Sequence, residues 1–176
     1  MHGDDVAIRA LDSDEDWQRL EGLHLEYLEF VCADLSREFD LNFNATEVHQ
    51  QSFGDGRKMR PPHGRSFAVF DGSGQPFAMV MMRRVNSSNV EIKRLYVAPQ
   101  GRGRHLGRHL VQRVIDEAKA HGARAIVLDT TKNLSSAVAI YRDMGFEDCE
   151  AYVGSDVGAD ETLRKIGVFM RLDLIS

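Results

Sequence analysis

The stretch Glu91-Ile92-Lys93-Arg94-Leu95-Tyr96-Val97-Ala98-Pro99-Gln100-Gly101-Arg102-Gly103-Arg104-His105-Leu106-Gly107-Arg108-His109-Leu110 changes character twice. Its opening belongs to a run from Val90 to Val97 rich in β-branched and aromatic residues, which predicts a strand. Pro99 to Arg104, with Gly101 and Gly103, predicts a loop. From Leu106 to Ala120 the apolar residues fall at 106, 110, 111, 114, 115 and 118, a helical spacing, and His121-Gly122 supplies the stop. Ala125 to Leu128 then reads as a short apolar strand. A strand–helix–strand crossover of this length joins parallel neighbours in one sheet.

Upstream, Ser66 to Phe70 and Phe77 to Val85 predict two strands, separated by the turn Asp71-Gly72-Ser73-Gly74. Asn86-Ser87-Ser88-Asn89 turns the chain again, so these two strands and 90–97 form an antiparallel meander. Val6 to Leu11 predicts a first strand. A helix, broken or continuous, covers about 14–38, capped by Ser13 or Asp14, and Thr46 to Phe53 predicts a second. Gly54 to Gly64 reads as a loop. Downstream, Ser135 to Met144 predicts a helix stopped by Gly145, Phe146 to Tyr152 and Val168 to Leu174 two closing strands, and polar Gly154 to Lys165 a loop. The fold class is α/β, with a mixed central sheet that is antiparallel in its N-terminal meander and parallel at its central pair.

The bulk composition narrows the function. The 176 residues fit one domain, 1–176, with no repeat or interdomain linker. A net charge of -5 argues against a general nucleic-acid binder and suits a cationic partner. Cys32 and Cys149 form neither a disulfide framework nor a zinc pattern. The start Met1-His2-Gly3-Asp4-Asp5 lacks the basic and apolar regions of a signal peptide, and no run reaches the roughly 18 apolar residues of a membrane span. The expectation is a soluble cytoplasmic protein without membrane partners.

Against that acidic background, residues 99–113 carry Arg102, Arg104, Arg108, Arg113, His105 and His109 with no acid among them. They sit where a loop enters a helix, and a helix start offers free N–H groups and a positive dipole end. Gly101, Gly103 and Gly107 allow a close backbone approach. The segment is therefore either an anion site suited to phosphates or a basic turn leading into a solvated helix. It is not a P-loop, since no Gly-Lys-Ser/Thr follows, nor the three-glycine dinucleotide fingerprint. His105 and His109 have helical i, i+4 spacing but no third ligand, so no metal site is expected.

The run 91–110 resembles the GNAT family of N-acetyltransferases, whose pattern there is Gln/Arg-x-x-Gly-x-Gly/Ala after a strand. Arg102 and Gly107 match its ends, while His105 replaces its first glycine, which implies backbone at 105 outside the glycine-only region. Ala137-x-x-Ile140-Tyr141-x-x-Met144-Gly145-Phe146 looks like the family's second motif. Where the family has asparagine three residues before that alanine, this chain has Leu134, with Asn133 beside it.

The resemblance implies a GNAT-like acyl-CoA N-acyltransferase fold and transfer of an acetyl group from acetyl-CoA to a primary amine of a small molecule or peptide. The backbone of Leu95, Tyr96 and Val97 would pair with the pantetheine arm. The amides and side chains from Arg102 through Gly103, Arg104, His105, Leu106 and Gly107 to Arg108 would hold the pyrophosphate, guanidinium being suited to phosphate oxygens. Tyr141 is the candidate general acid for the leaving thiolate, or else a packed core tyrosine. Glu91 is the candidate base, or else half of a surface ion pair with Lys93. Strict alternation puts Glu91, Lys93 and Leu95 on one face and Ile92, Arg94 and Tyr96 on the other. Trp17, Tyr27 and Phe30 either line the acceptor pocket or pack in the core. The resemblance allows a homodimer. The alternatives are a non-catalytic acyl-CoA sensor or interaction subunit, and an acyltransferase with another acyl chain or acceptor.

Overall fold

The computed structural model describes residues 7–54 and 56–174. Strand β1 (Ile8–Ala10) opens the chain; Val6, the expected first residue of this strand, lies outside the described residues. The expected long helix is broken at Leu20 into α1 (Asp14–Arg19) and α2 (Glu21–Phe39). Ser13 caps α1 by accepting from the Asp16 amide, ahead of a first turn of three acids that suits the helix dipole. Helix α3 (Ala45–Gly54) follows, and Trp17 of α1 stacks on Phe53 of α3 with ring centroids 4.8 Å apart. The region read as a loop also contains a short 3-10 turn, Gly56–Met59.

The meander forms as expected: β2 (Gly64–Phe70), β3 (Pro76–Arg84) and β4 (Asn89–Val97) pair antiparallel, with β1 added at the edge of β2. Helix α4 (Leu106–Ala120) crosses over to β5 (Ala125–Thr131), which lies parallel to β4. Helix α5 (Ser135–Asp143) ends at Gly145, whose φ of 91° only glycine adopts at little cost. Among the described residues the strands form one sheet in the order β1-β2-β3-β4-β5-β7-β6.

Two expectations at the C-terminal end need correction. The strand read over 146–152 shrinks to β6 (Glu147–Asp148) at the sheet edge. The polar segment read as a loop contains α6 (Asp156–Ala159) and α7 (Glu161–Arg164), whose caps Ser155 and Asp160 accept from the first-turn amides. The final strand, β7 (Gly167–Asp173), pairs antiparallel with both β5 and β6.

Phe77 to Met82 of β3 are all buried, without the alternation of a strand exposed on one side. Helices α2 and α4 both contact β3 and β4, so the middle of the sheet is covered on both faces. Among the described residues no helix is long and apolar enough to cross a membrane.

The feature that positions the site is a bulge in β4. Tyr96 faces Met79 and Lys93 faces Met81, so three steps on β4 oppose two on β3. Arg94, with φ of 53°, is the extra residue. Because Met79 and Met81 share a face, Lys93 and Tyr96 share one too, contrary to strict alternation. That face meets α2: the Tyr96 ring lies 5.7 Å from Tyr27 and 5.9 Å from Phe30, and its hydroxyl donates to Glu26 Oε1 at 3.0 Å.

Candidate active site

The parallel ladder between β4 and β5 runs from Asn89 opposite Ala125 to Ile92 opposite Leu128 and stops there. Beyond it, Tyr96 and Val97 continue to pair only with β3, while Asp129 to Thr131 pair only with β7. The facing edges thus part at the bulge, which adds local twist to β4. Among the described residues β4 has no strand partner on this side beyond Ile92, so its edge can take an extended ligand as an added strand would.

A cleft of about 440 Å³ occupies this split. Leu95, Tyr96 and Val97 form one wall, and Ser135, Ser136, Ala137 and Ile140 of α5 the other. Tyr27 and Phe30 of α2 also line it, whereas Trp17 belongs to the core. Arg102, Gly103, His105, Leu106 and Gly107 form the end at the start of α4.

That end has the donors to hold an anion. No acceptor among the described residues takes the backbone N–H groups from Gly103 to Arg108; the first regular bond of the turn is His109 N–H to His105 C=O at 3.2 Å. These donors combine with the positive end of the helix dipole. His105, the N-cap residue, has φ of 56° and so adopts the left-handed region, which glycine favours but other residues can enter. Histidine enters this region more readily than bulkier or β-branched residues. A Cβ at Gly107 would stand 2.8 Å from Ile140 Cδ1, so the tip of that side chain would have to shift to admit one.

Only one of the three candidate arginines faces the cleft. Arg102 lines it, donates from Nε to Val97 C=O at 3.3 Å, and rests its guanidinium 5.6 Å from the Phe30 ring centre. Arg104 instead lies over Phe77, and Arg108 pairs with Asp143 at 3.5 Å on the surface. Their side chains do not line the cleft, although their amides belong to the free series.

Asn133 stands beside the departure at Leu134. Its Nδ2 donates to Asp34 Oδ2 at 3.0 Å, and its buried Oδ1 has no partner. It lines the cleft beside Leu134, presenting an acceptor that an amide N–H of a bound molecule could satisfy.

Tyr141 lies one residue beyond Ile140 and is buried, its ring 5.5 Å from Phe146. Its hydroxyl has no hydrogen-bond partner among the described residues, and burial raises its pKa, with further contributions from Tyr27 and Asp129. Glu91 is wholly buried rather than in a surface ion pair. Arg83 Nε donates to its Oε2; Tyr152 donates to its Oε1 at 2.6 Å; Lys93 Nζ stands 3.6 Å away. Glu91 does not line the cleft.

Glu91 belongs to a charged cluster between the sheet and the α6 segment that sequence reasoning missed. Lys93 Nζ lies 2.9 Å from both Asp129 Oδ1 and Asp156 Oδ2. Burial opposes the Lys93 charge, but these carboxylates and Glu91 outweigh it and hold its pKa above the usual range. Asp129 also accepts from Ser155 at 2.7 Å and the Val157 amide at 3.0 Å. The sequence signal was an acid following the apolar run 125–128, at the carboxyl end of a central strand where α/β proteins place ligand sites.

Comparison with known proteins agrees with this geometry. The profile of the Acetyltransferase (GNAT) family matches residues 24–146. An uncharacterized N-acetyltransferase of Schizosaccharomyces pombe is 31% identical over 153 residues, 86% of this chain and 89% of that protein. A GNAT-family acetyltransferase from Staphylococcus aureus superposes with a TM-score of 0.73 at 16% identity, covering 96% of this chain and all 100% of that one. The PaiA N-acetyltransferase of Thermoplasma acidophilum, solved in complex with coenzyme A, gives 0.69 at 14% identity over 95% of this chain and 99% of its own. With the profile spanning most of its length, the chain belongs to the GNAT family of N-acetyltransferases.

Proposed function

We propose that this protein transfers an acetyl group from acetyl-CoA to a primary amine of a small molecule or peptide. The observation that carries the reading is the split beyond Ile92 and Leu128, which runs into the free amides from Gly103 to Arg108. Such a groove suits a ligand with an amide-bearing arm and a diphosphate. The edge of Leu95, Tyr96 and Val97 and the Asn133 Oδ1 would take the arm. The amides of the α4 entrance and the Arg102 guanidinium would take the phosphates. Acetyl-CoA supplies an activated thioester when bound.

The chain's own groups then have three tasks. A main-chain N–H near Val97 polarises the carbonyl under attack. The Tyr141 hydroxyl, kept protonated by its burial, donates to the departing sulfur. Glu91 is held by Arg83, Lys93 and Tyr152, so its role as base runs through the Tyr152 hydroxyl or water. The same reading takes residues 1–176 as one catalytic unit working in the cytoplasm, with its two free cysteines reduced and a homodimer allowed.

The test is release of free CoA from acetyl-CoA across a panel of amines and alcohols, alongside calorimetric CoA binding. Amine-dependent release is the expected result. CoA binding with no release for any acceptor would replace the enzyme by a non-catalytic binder. Asn133→Ala should weaken CoA binding by about 1 kcal/mol, the worth of one hydrogen bond.

A further inference from the structure

Among the described residues, Arg94 is the cation of this cluster that meets no oxygen acceptor. Arg83 reaches Glu91, the Gly154 carbonyl and Asp156, and Lys93 reaches Asp129 and Asp156. Arg94 makes a single contact, from Nη1 to the Met81 sulfur at 3.8 Å. Among the described residues no carboxylate lies within ion-pair distance of it.

The nearby acids cannot turn to it, because each is engaged. Glu91 accepts from Arg83 and Tyr152, Asp129 from Lys93, Ser155 and the Val157 amide, and Asp156 from Lys93 and Arg83. The three acids offset the three cations in formal charge, so Arg94 lacks acceptors rather than distant counter-charge. A guanidinium has five N–H donors in a planar fork and stays charged. Arg94 is part-buried, so the donors that meet no acceptor are open to solvent and to a ligand.

Its placement is specific. Arg94 is the extra residue of the bulge, held at φ of 53° where a non-glycine residue is uncommon. Its one contact, Met81, lies on the α2 side of the sheet. Its charge acts on His24 and Tyr27 of α2 and on Asp156. Tyr27 lines the cleft, and so does Leu95, the next residue on β4. Arg94 is not itself a lining residue; it adjoins the cleft through Leu95, so a group reaching it would lie beside the cleft rather than in it.

We infer that Arg94 binds a carboxylate of the acceptor, so that the acceptor is an amine carrying a carboxylate within a few bonds, as an amino acid does. This inference rests on the acyltransferase reading. It runs against the whole-chain charge, which suits a cation, because the local donors decide recognition.

The test uses acetyl-CoA turnover with matched pairs, each an amino acid and its amide, on wild type, Arg94→Gln and Arg94→Lys, with CoA affinity measured on each. The wild type should favour the acid of at least one pair by about tenfold or more in kcat/KM. In Arg94→Gln that preference should collapse through KM, with CoA affinity unchanged. Arg94→Lys, which keeps the charge and loses the fork, should fall between and shows that loss of folding is not the cause. Acids and amides used equally well, or no carboxylate-bearing amine accepted by a wild type that binds CoA, overturns the inference. So does an equal drop in kcat for both members of a pair, which would move Arg94 to the reacting carbonyl. Failure of the wild type to bind CoA at all would instead sink the acyltransferase reading beneath it.

Discussion

Gly107 of α4 lies so close to Ile140 of α5 that a Cβ on the glycine would stand 2.8 Å from the isoleucine Cδ1. Both residues line the cleft, so the contact sets its width where the anion site begins. Gly107→Ala must displace the tip of the Ile140 side chain and should therefore weaken CoA binding modestly, by about twofold to threefold, and Ile140→Val, which removes Cδ1, should restore most of it. The double-mutant cycle should show coupling of about 0.5 kcal/mol or more. Additive effects in calorimetry would mean that the contact does not shape the cleft. Gly107→Glu, which puts a carboxylate among the amides, should abolish CoA binding in either background.

Tyr141→Phe separates chemistry from packing. The ring stays against Phe146, so stability should change by less than about 1 kcal/mol, the hydroxyl having no partner to lose. Turnover should fall about 100-fold or more while CoA affinity holds, as expected for removal of a general acid. Unchanged turnover would return Tyr141 to the role of a core tyrosine.

What sequence could and could not reveal divides by the range of the interactions involved. The crossover from Val90 to Leu128, the caps at Ser13 and Gly145, and the basic segment from Arg102 to Arg108 depend on local spacing and were legible. The bulge at Arg94 was not, because no glycine or turn signal marks it; only pairing with β3 displays the extra residue. That one residue moved Tyr96 onto the face of Lys93. Asn133 was read as a neighbour of the departure at Leu134, and only the fold shows its unpaired oxygen in the cleft. Tyr152, Asp129 and Asp156 lie 61, 38 and 65 residues from Glu91 by their numbering, and no local pattern joins them. The helices α6 and α7 were missed because four-residue helices have too little periodicity to detect.

The cluster around Glu91 makes a stability prediction apart from catalysis. Glu91→Ala would leave Arg83 and Lys93 without a fully buried carboxylate that touches both. Removing one partner of a buried ion pair typically costs ~3–5 kcal/mol. The remaining acids Asp129 and Asp156 soften this for Lys93, so the lower end, about 3 kcal/mol, is expected. Urea unfolding would measure it. A loss below about 0.5 kcal/mol would show that the cluster does not depend on Glu91.

A buried histidine pair makes acid the natural weakness of the fold. His24 and His49 face each other with Nδ1 atoms 2.8 Å apart, which requires one donor and one acceptor and hence at least one neutral ring. His24 is 1% exposed and its Nε2 is buried without a partner. Burial, aided by Arg94 and His49, lowers its pKa to about 3. The unfolded chain, with the ordinary value near 6.5, binds this proton first. The neutral histidine's contribution is therefore fully present above pH ~6.5 and is lost as pH falls toward ~3. By pH ~5 the loss from His24 alone is about 2 kcal/mol. Stability measured by denaturant should fall by that much more in wild type than in His24→Leu between pH ~7 and ~5. Parallel curves for the two proteins would show that His24 gains its proton without cost in the folded state.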